Sequence, residues 1–419
     1  MPGYRPTMRL ILRLGAVVAV TLTFAAPSAG AAPGVRFGIQ DDAWLSHGAG
    51  TLDERLDRLQ RLGVDVVRFN LHWDRIERER GAPDWEESDR VLRGLRAHGI
   101  PAVVGLVGAP RWANGGRAWN FAPGAASFAA FARAAATRYR WVNQWLIWNE
   151  PNHARWLRPT TARTYVLQLL NPAYAAIHAV NPRAKVAGGV TAPRGGSNGV
   201  SPVAWIRGMR AAGARLDAYA HHPYPSSPRE TPFTGGCAYC TTITMATLGR
   251  LLNEVGRAFG TKKRIWLTEY GYQTGAYGVT QQRQAELIGQ AALRVQRAPR
   301  VDMLIHYLVK DEPEAHRFQS GLYTIAGRPK LAALAFPFPI AQAGRSRGKL
   351  VLWGQVRPRT GVQRYRVQVR SGGAWRFSGG YRTTNGRGFF SVAVVAAPGT
   401  RVRIYSPQDR AYSASMPVR

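Results

Sequence analysis

Trp145-Leu146-Ile147-Trp148-Asn149-Glu150-Pro151 carries an apolar run straight into an amide, a carboxylate and a proline. A bulky run of this length reads as a buried strand, and Pro151 marks where ladder pairing stops. Glu150 therefore stands where a strand opens into a loop. The pattern recurs in Ile265-Trp266-Leu267-Thr268-Glu269, which puts a second carboxylate at a second strand end.

On either side of these two stretches, short apolar segments fall at 35–40, 64–70, 101–106, 143–149, 184–190, 215–221, 264–269 and 301–307. Between them lie amphipathic stretches such as 52–62, 88–98, 125–138, 161–180 and 281–296, with apolar residues three and four apart. Eight strand and helix units in roughly 300 residues describe an α/β fold of the (β/α)8 TIM-barrel type, expected over residues 32–340. A doubly wound open sheet would need a Gly-rich phosphate loop after its first strand, and Gly48-Ala49-Gly50 lacks the rest of that fingerprint. Beyond residue 341 the period becomes two: Tyr365, Val367 and Val369 alternate with Arg364, Arg366, Gln368 and Arg370, and Val402 and Ile404 with Arg401 and Arg403. About six such runs, separated by turns such as Ser371-Gly372-Gly373 and Asn385-Gly386, predict a small all-β sandwich over 341–419.

Residues 1–31 read as an export signal, with Arg5, Arg9 and Arg13 before the apolar run 14–26 and small residues at Ala29-Gly30-Ala31. A mature chain starting near Ala32 and a secreted location are expected, the alternative being an uncleaved anchor. The formal charge of +33 raises the question of nucleic acid. Basic residues scatter through every segment without a nucleic-acid motif, so no such partner is expected. A solvated Arg-rich surface accounts for them, with contact to an anionic cell envelope or polysaccharide as a further reading. Cys237 and Cys240 are the only cysteines. In an exported chain they are expected to form a local disulfide bracing a Gly- and Pro-rich loop.

Barrels of this kind carry their chemistry at the carboxyl ends of the strands. Here those ends are polar: Arg68-Phe69-Asn70, Asn149-Glu150, His221-His222-Pro223-Tyr224 and Glu269-Tyr270. Two glutamates at two strand mouths suit glycosidic hydrolysis by double displacement, which requires carboxyl groups about 5 to 5.5 Å apart.

With these motifs in place, residues 35–338 resemble the clan A glycoside hydrolases, retaining enzymes with one glutamate after strand four and another at strand seven. Asn149-Glu150-Pro151 is similar to the acid/base motif, Glu269 to the nucleophile, and Val66-Val67-Arg68-Phe69-Asn70-Leu71-His72-Trp73 to the second strand. Thr268-Glu269-Tyr270-Gly271 looks like the cellulase-like and β-xylosidase-like branches. The resemblance implies Glu150 as general acid and base, Glu269 as the nucleophile kept ionised by Arg68, and Asn149 on the sugar hydroxyl beside the reacting carbon. His222 and Tyr224 would serve the acid/base and the nucleophile, although alternation alone does not choose between His221 and His222. Trp73, Trp112, Trp148 and Trp156 are candidate stacking walls for sugars, Trp112 in a loop that resembles the substrate-facing one. Tyr307 stands where many relatives carry a tryptophan, which leaves the sugar open.

A secreted retaining β-glycosidase acting on an oligo- or polysaccharide is thus expected, with no metal or organic cofactor implied, because carboxylates serve both chemical steps. The alternative is a noncatalytic carbohydrate-binding or envelope protein on the same barrel. Transglycosylation would use the same residues.

Overall fold

The computed structural model describes Met1, Gly3 and residues 34–237, 240–314 and 316–419. The leader expected over residues 1–31 lies outside the described residues apart from Met1 and Gly3. Eight parallel strands close into a barrel: β1 (Arg36–Gln40), β2 (Val66–His72), β3 (Ala102–Val107), β4 (Gln144–Ile147), β5 (Lys185–Thr191), β6 (Ala218–His221), β7 (Arg264–Tyr270) and β8 (Val301–Tyr307). β1 closes the ring by pairing with both β2 and β8. Helices between the strands cover the outside. They include Pro202–Ala211 and Leu248–Phe259, which were not among the amphipathic stretches named above. No helix among the described residues is long and apolar enough to cross a membrane.

Alternation along the strands sorts side chains into two buried layers. Val66, Val103, Leu146, Ala187, Ala218, Ala220, Trp266, Met303 and Ile305 fill the barrel interior. Val67, Phe69, Trp145, Ile147, Ile265 and Leu267 pack outward under the helices. On β2 the phase holds, so Arg68 and Asn70 follow Val66 inward. On β6 it also holds, so His222 follows Ala220.

Three strand ends break the phase, and each break serves the site. Trp148 adopts φ 68° and packs outward against Phe128, which turns Asn149 inward. β4 therefore ends at Ile147, two residues earlier than expected. Val190 takes φ 45°, a rare conformation for a β-branched residue, where the β5–β6 register shifts between Gly189 and Thr191. The β7–β8 register shifts between Leu267 and Tyr270, and Tyr270 packs in the outer layer. Strict alternation from Trp266 would have sent Thr268 to the mouth; the shift sends Glu269. The helical stretch 161–180 contains a wide π turn at Tyr165–Leu170. From it Tyr165 donates its hydroxyl to the Ile147 carbonyl (2.8 Å) and accepts from the Gly189 amide (3.1 Å), pinning the two displaced ends together.

After the barrel come two antiparallel sheets. One runs β14 (Phe389–Val394), β10 (Lys349–Gln355), β9 (Ile340–Ser346). The other runs β12 (Ala374–Phe377), β11 (Arg364–Ser371), β15 (Arg401–Ser406), β16 (Ala411–Tyr412), with β13 (Arg382–Thr383) also on β11 and β17 (Met416–Pro417) also on β15. Leu350, Leu352, Val392 and Val394 of the first face Tyr365, Val367, Val402 and Ile404 of the second across a shared core. Ala341, Trp353 and Phe389 belong instead to the barrel's outer layer. Arg357 stacks 3.8 Å from the Phe37 ring centroid and donates to the Phe336 carbonyl, tying the sheets to the barrel wall.

The disulfide expected between Cys237 and Cys240 is corrected by the structure: both thiols are free. Cys237 Sγ instead accepts from the Cys240 amide at 3.0 Å, and Arg250 braces the loop by donating to the carbonyls of Cys237, Cys240 and Thr242.

Candidate active site

Arg68 organises the carboxyl end of the barrel. Its guanidinium is fully buried, a placement that costs several kcal/mol unless partners compensate. One nitrogen donates to Glu269 Oε1 at 2.6 Å, to the Thr268 carbonyl at 3.1 Å and to His222 Nε2 at 3.1 Å. The other donates to Asn149 Oδ1 at 2.6 Å and, more weakly, to Asn70 Oδ1 at 3.4 Å. Residues from β2, β4, β6 and β7 thus meet on one cation.

That contact also fixes a tautomer. Arginine has no acceptor, so His222 Nε2 must present its lone pair, and the ring proton sits on Nδ1. Nδ1–H then donates to Glu150 Oε1 at 3.0 Å and lies 3.6 Å from Glu269 Oε2. Burial pushes the His222 pKa down to about 3, with Glu269 opposing and Arg68 reinforcing the shift, so the ring is neutral at ordinary pH. His221 faces the other way, between Thr191 Oγ1 (2.8 Å) and the Ile243 carbonyl (3.0 Å). The choice that alternation left open falls on His222.

The two carboxylates occupy different surroundings. Glu269 accepts from Arg68 on Oε1 and from the Tyr224 hydroxyl on Oε2 at 3.1 Å. Burial and the Glu269 charge hold the Tyr224 pKa far above the ordinary phenol range, so its hydroxyl stays a donor. Glu150 meets neutral donors, the His222 proton and the neighbouring Trp156 side chain, while its own amide donates to the Val190 carbonyl at 2.9 Å and its φ is 39°. Burial raises the Glu150 pKa, against the opposing pull of Arg68 and His153. The dominant cause is desolvation of the carboxylate. Facing atoms of Glu150, His222 and Glu269 all lie within 4.8 Å of one another.

Such a cluster has the donor types of a metal site, but its protonation pattern opposes one. A cation would need the Nδ1 lone pair, which moves the proton to Nε2 against the Arg68 guanidinium.

Comparison with known proteins assigns the chain to a family. The family model of the glycosyl hydrolase catalytic core matches residues 119–333, the segment that contains Asn149, Glu150, His222, Tyr224, Glu269 and Tyr307. The chain belongs to the glycosyl hydrolase catalytic core family. Solved structures sharing the fold include a family 39 glycoside hydrolase from Bacteroides cellulosilyticus WH2 (16% identity, 86% of this chain and 79% of that one, TM-score 0.59). A glucosidase from Croceicoccus marinus (13%, 90% and 97%, TM-score 0.59) and a monomeric beta-xylosidase from Caulobacter crescentus CB15 (14%, 86% and 93%, TM-score 0.56) share it too. No curated protein sequence matches the chain.

In this glycosyl hydrolase the expected stacking walls separate into two groups. Trp73 and Trp148 are buried outright and serve the core, a correction to their candidacy. Trp112 is half-buried, but its Nε1 donates to the Glu77 carbonyl at 2.9 Å and its ring stands edge-on to Trp73 at 5.4 Å, so it is anchored to the outer layer. Trp156 lies by Glu150 and meets the exposed Trp119 edge-on at 5.5 Å. Tyr307 stands at the end of β8, edge-on to Phe318 at 5.1 Å, and Phe318 also meets Tyr224 at 5.7 Å.

Sequence reasoning missed Phe318, Trp119, Asn70 and Asp42 as site residues. Asn70 Nδ2 donates to Asp42 Oδ2 at 2.8 Å, extending the Arg68 network toward β1. Gly105 of β3 is paired with Asn70, and a Cβ there would strike the Asn70 side-chain oxygen. Asp42 Oδ1 is buried without a protein partner among the described residues, and burial pushes the Asp42 pKa up to about 7. Asn70 ended a quoted motif and could have been found by phase; nothing in the sequence joins Asp42 to it.

Proposed function

We propose that this glycoside hydrolase is an exported, retaining β-glycosidase acting by double displacement. Glu269, ionised beside Arg68, attacks the anomeric carbon, while Glu150 protonates the departing oxygen. The resulting glycosyl ester on Glu269 is then opened by water that Glu150 deprotonates, returning the acid to its starting state. Asn149 is held by Arg68 through its oxygen, which leaves its Nδ2 for the hydroxyl beside the reacting carbon, a contact that strengthens as positive charge develops there. Neutral His222 orients Glu150 without supplying charge.

The observation that carries this reading is the separation of the glutamates. Facing oxygens within 4.8 Å, one of them accepting the His222 proton, favour the close spacing of a retaining pair over the roughly 6.5 to 9.5 Å that an inverting enzyme needs to hold a water between its carboxyl groups. Export rests on the basic and apolar pattern of residues 1–31.

A panel of aryl β-glycosides assayed with the wild type, Glu150→Ala and Glu269→Ala tests it, with the first-formed anomer read by NMR. Initial release of the β anomer is expected, lost in Glu269→Ala and, with poor leaving groups, strongly reduced in Glu150→Ala. Initial release of the α anomer overturns retention, and unchanged activity in Glu269→Ala overturns the nucleophile. N-terminal sequencing of protein recovered from culture medium tests export; a start near Ala32 is expected, and confinement of an intact chain to the cells overturns it.

A further inference from the structure

Residues 341–419 hold fourteen arginines and one lysine against a single acid, Asp409. That acid is engaged by Arg359 at 3.0 Å and by the Ser406 hydroxyl at 2.6 Å. The charge is also ordered. On β11 and β15 the inward positions Tyr365, Val367, Val402 and Ile404 build the sandwich core. Outward positions carry Arg364, Arg366, Gln368 and Arg370 on one strand and Arg401, Arg403 and Tyr405 on the next, with Arg366 opposite Tyr405, Gln368 opposite Arg403 and Arg370 opposite Arg401.

Aromatic rings are interleaved with these arginines. Arg366 sits 3.6 Å from the Phe377 centroid and 5.2 Å from that of Tyr381, while Arg364 lies 4.3 Å from Tyr381. Arg403 is held between Trp375 at 4.2 Å and Tyr412 at 4.0 Å, with its Nε donating to Gln368 at 2.8 Å. Phe377 and Tyr381 remain 40% and 47% exposed, more than a face built only for solubility would leave. None of Arg364, Arg366, Arg370, Arg401 or Arg403 meets a carboxylate among the described residues. Guanidinium groups held against rings have already lost much of their freedom, so an anion that binds them gains forked hydrogen bonds at little further entropic cost.

We propose that this outer sheet face binds a carboxylate-bearing polysaccharide. Repeated guanidinium groups on neighbouring strands, engaged by neutral acceptors such as Gln368, Gly373, Gly379 and Ser415 but by no carboxylate among the described residues, complement a polymer with regularly repeated acid groups. Nucleic acid is the less suitable polyanion, because base stacking needs free ring faces and these rings already carry arginines. On a glycoside hydrolase, such a face tethers the enzyme to an acidic glycan matrix and raises the local concentration of bonds for the barrel.

Calorimetric titration of the full-length protein with polygalacturonate, pullulan and poly(dT) at about 150 mM NaCl tests the proposal. The double variant Arg366→Gln/Arg403→Gln is compared with a charge-matched control, Arg133→Gln/Arg163→Gln, two exposed arginines of the barrel. Polygalacturonate affinity is expected to fall about tenfold or more in the face variant and to change about twofold or less in the control, with pullulan not bound and aryl glycoside hydrolysis unchanged in both. Equal losses in the two variants would reduce the effect to bulk charge and overturn the site. Tighter binding of poly(dT) than of polygalacturonate, lost on the same substitutions, would assign the face to nucleic acid. If Arg366→Gln disturbs folding around Phe377, Arg364→Gln/Arg370→Gln carries the same expectation.

Discussion

The ends of β4 and β7 present the same side chain to the same cleft and treat it in opposite ways. Glu269 is clamped by the Arg68 guanidinium on one carboxyl oxygen and by the Tyr224 hydroxyl on the other. Glu150 sits on a left-handed backbone with a neutral histidine donor and a raised pKa. The two carboxyl groups are thus distinguished by local surroundings rather than by residue type, a difference that the proposed double displacement would use. His222 makes the difference durable: its neutral ring separates the carboxylates without adding a charge that would level them.

The comparison breaks most visibly if the two glutamates are removed separately. Glu269→Ala is expected to reduce hydrolysis on the order of 10⁴-fold or more, whatever the leaving group. Azide should then attack from the vacated side and yield a glycosyl azide of inverted configuration. Glu150→Ala should cost roughly 10² to 10⁴-fold with poor leaving groups and much less with dinitrophenyl glycosides, which need no proton. There azide should restore turnover and give the retained configuration. Identical leaving-group dependence in the two variants would erase the division of labour.

The residues that meet at this end of the barrel were legible in the sequence, but unevenly. Glu150, Glu269 and Arg68 stand out because charged residues after apolar strands are costly unless used. The phase breaks at Trp148, Val190 and the Leu267–Tyr270 register shift leave no mark in residue type, so alternation alone would have aimed Thr268 rather than Glu269 at the substrate. His222 was separable from His221 only once Ala218 and Ala220 were seen to face the interior. Asp42 meets Asn70 of β2 from the helix Asp42–His47 that follows β1, and Phe318 comes from a loop after β8; neither relation has a periodicity to read. Trp73 and Trp148 misled because a tryptophan near a strand mouth has the same composition whether it faces the sugar or the helices. The helix Pro202–Ala211 could have been found, since Ser201 caps it and Pro202 opens it.

Tyr224 sharpens the contrast at the β7 end. Among the described residues its hydroxyl is one of two side-chain hydrogen-bond donors to Glu269, so Tyr224→Phe removes a contact that positions this carboxylate and leaves Arg68 to hold it. A net loss of about 1 kcal/mol, or roughly five- to tenfold in kcat, is expected, with the larger part in formation of the covalent intermediate. Single-turnover kinetics separate that step from its hydrolysis. A change confined to KM would show that Tyr224 binds sugar instead of holding Glu269.

The smallest effect is one of stability, and it isolates the β4 end. In the unfolded chain the Glu150 carboxyl titrates in the ordinary range; in the folded protein burial raises its pKa. Between those values the native state holds more protons than the unfolded state, so this group's contribution to stability is intact below the ordinary range and is lost as pH rises through the folded value. Glu150→Gln keeps an acceptor for the His222 proton and has no charge to desolvate. Thermal unfolding should therefore show little difference between variant and wild type below the ordinary carboxyl range, a growing advantage for the variant as pH rises through the folded pKa, and a constant advantage above it. The same raised pKa places the alkaline limb of kcat/KM above the ordinary carboxyl range, while His222, with its pKa near 3, stays neutral throughout that limb. An advantage independent of pH would mean that the amide introduced by Glu150→Gln merely packs better. The asymmetry between the two strand ends would then have to come from the Arg68 clamp on Glu269 alone.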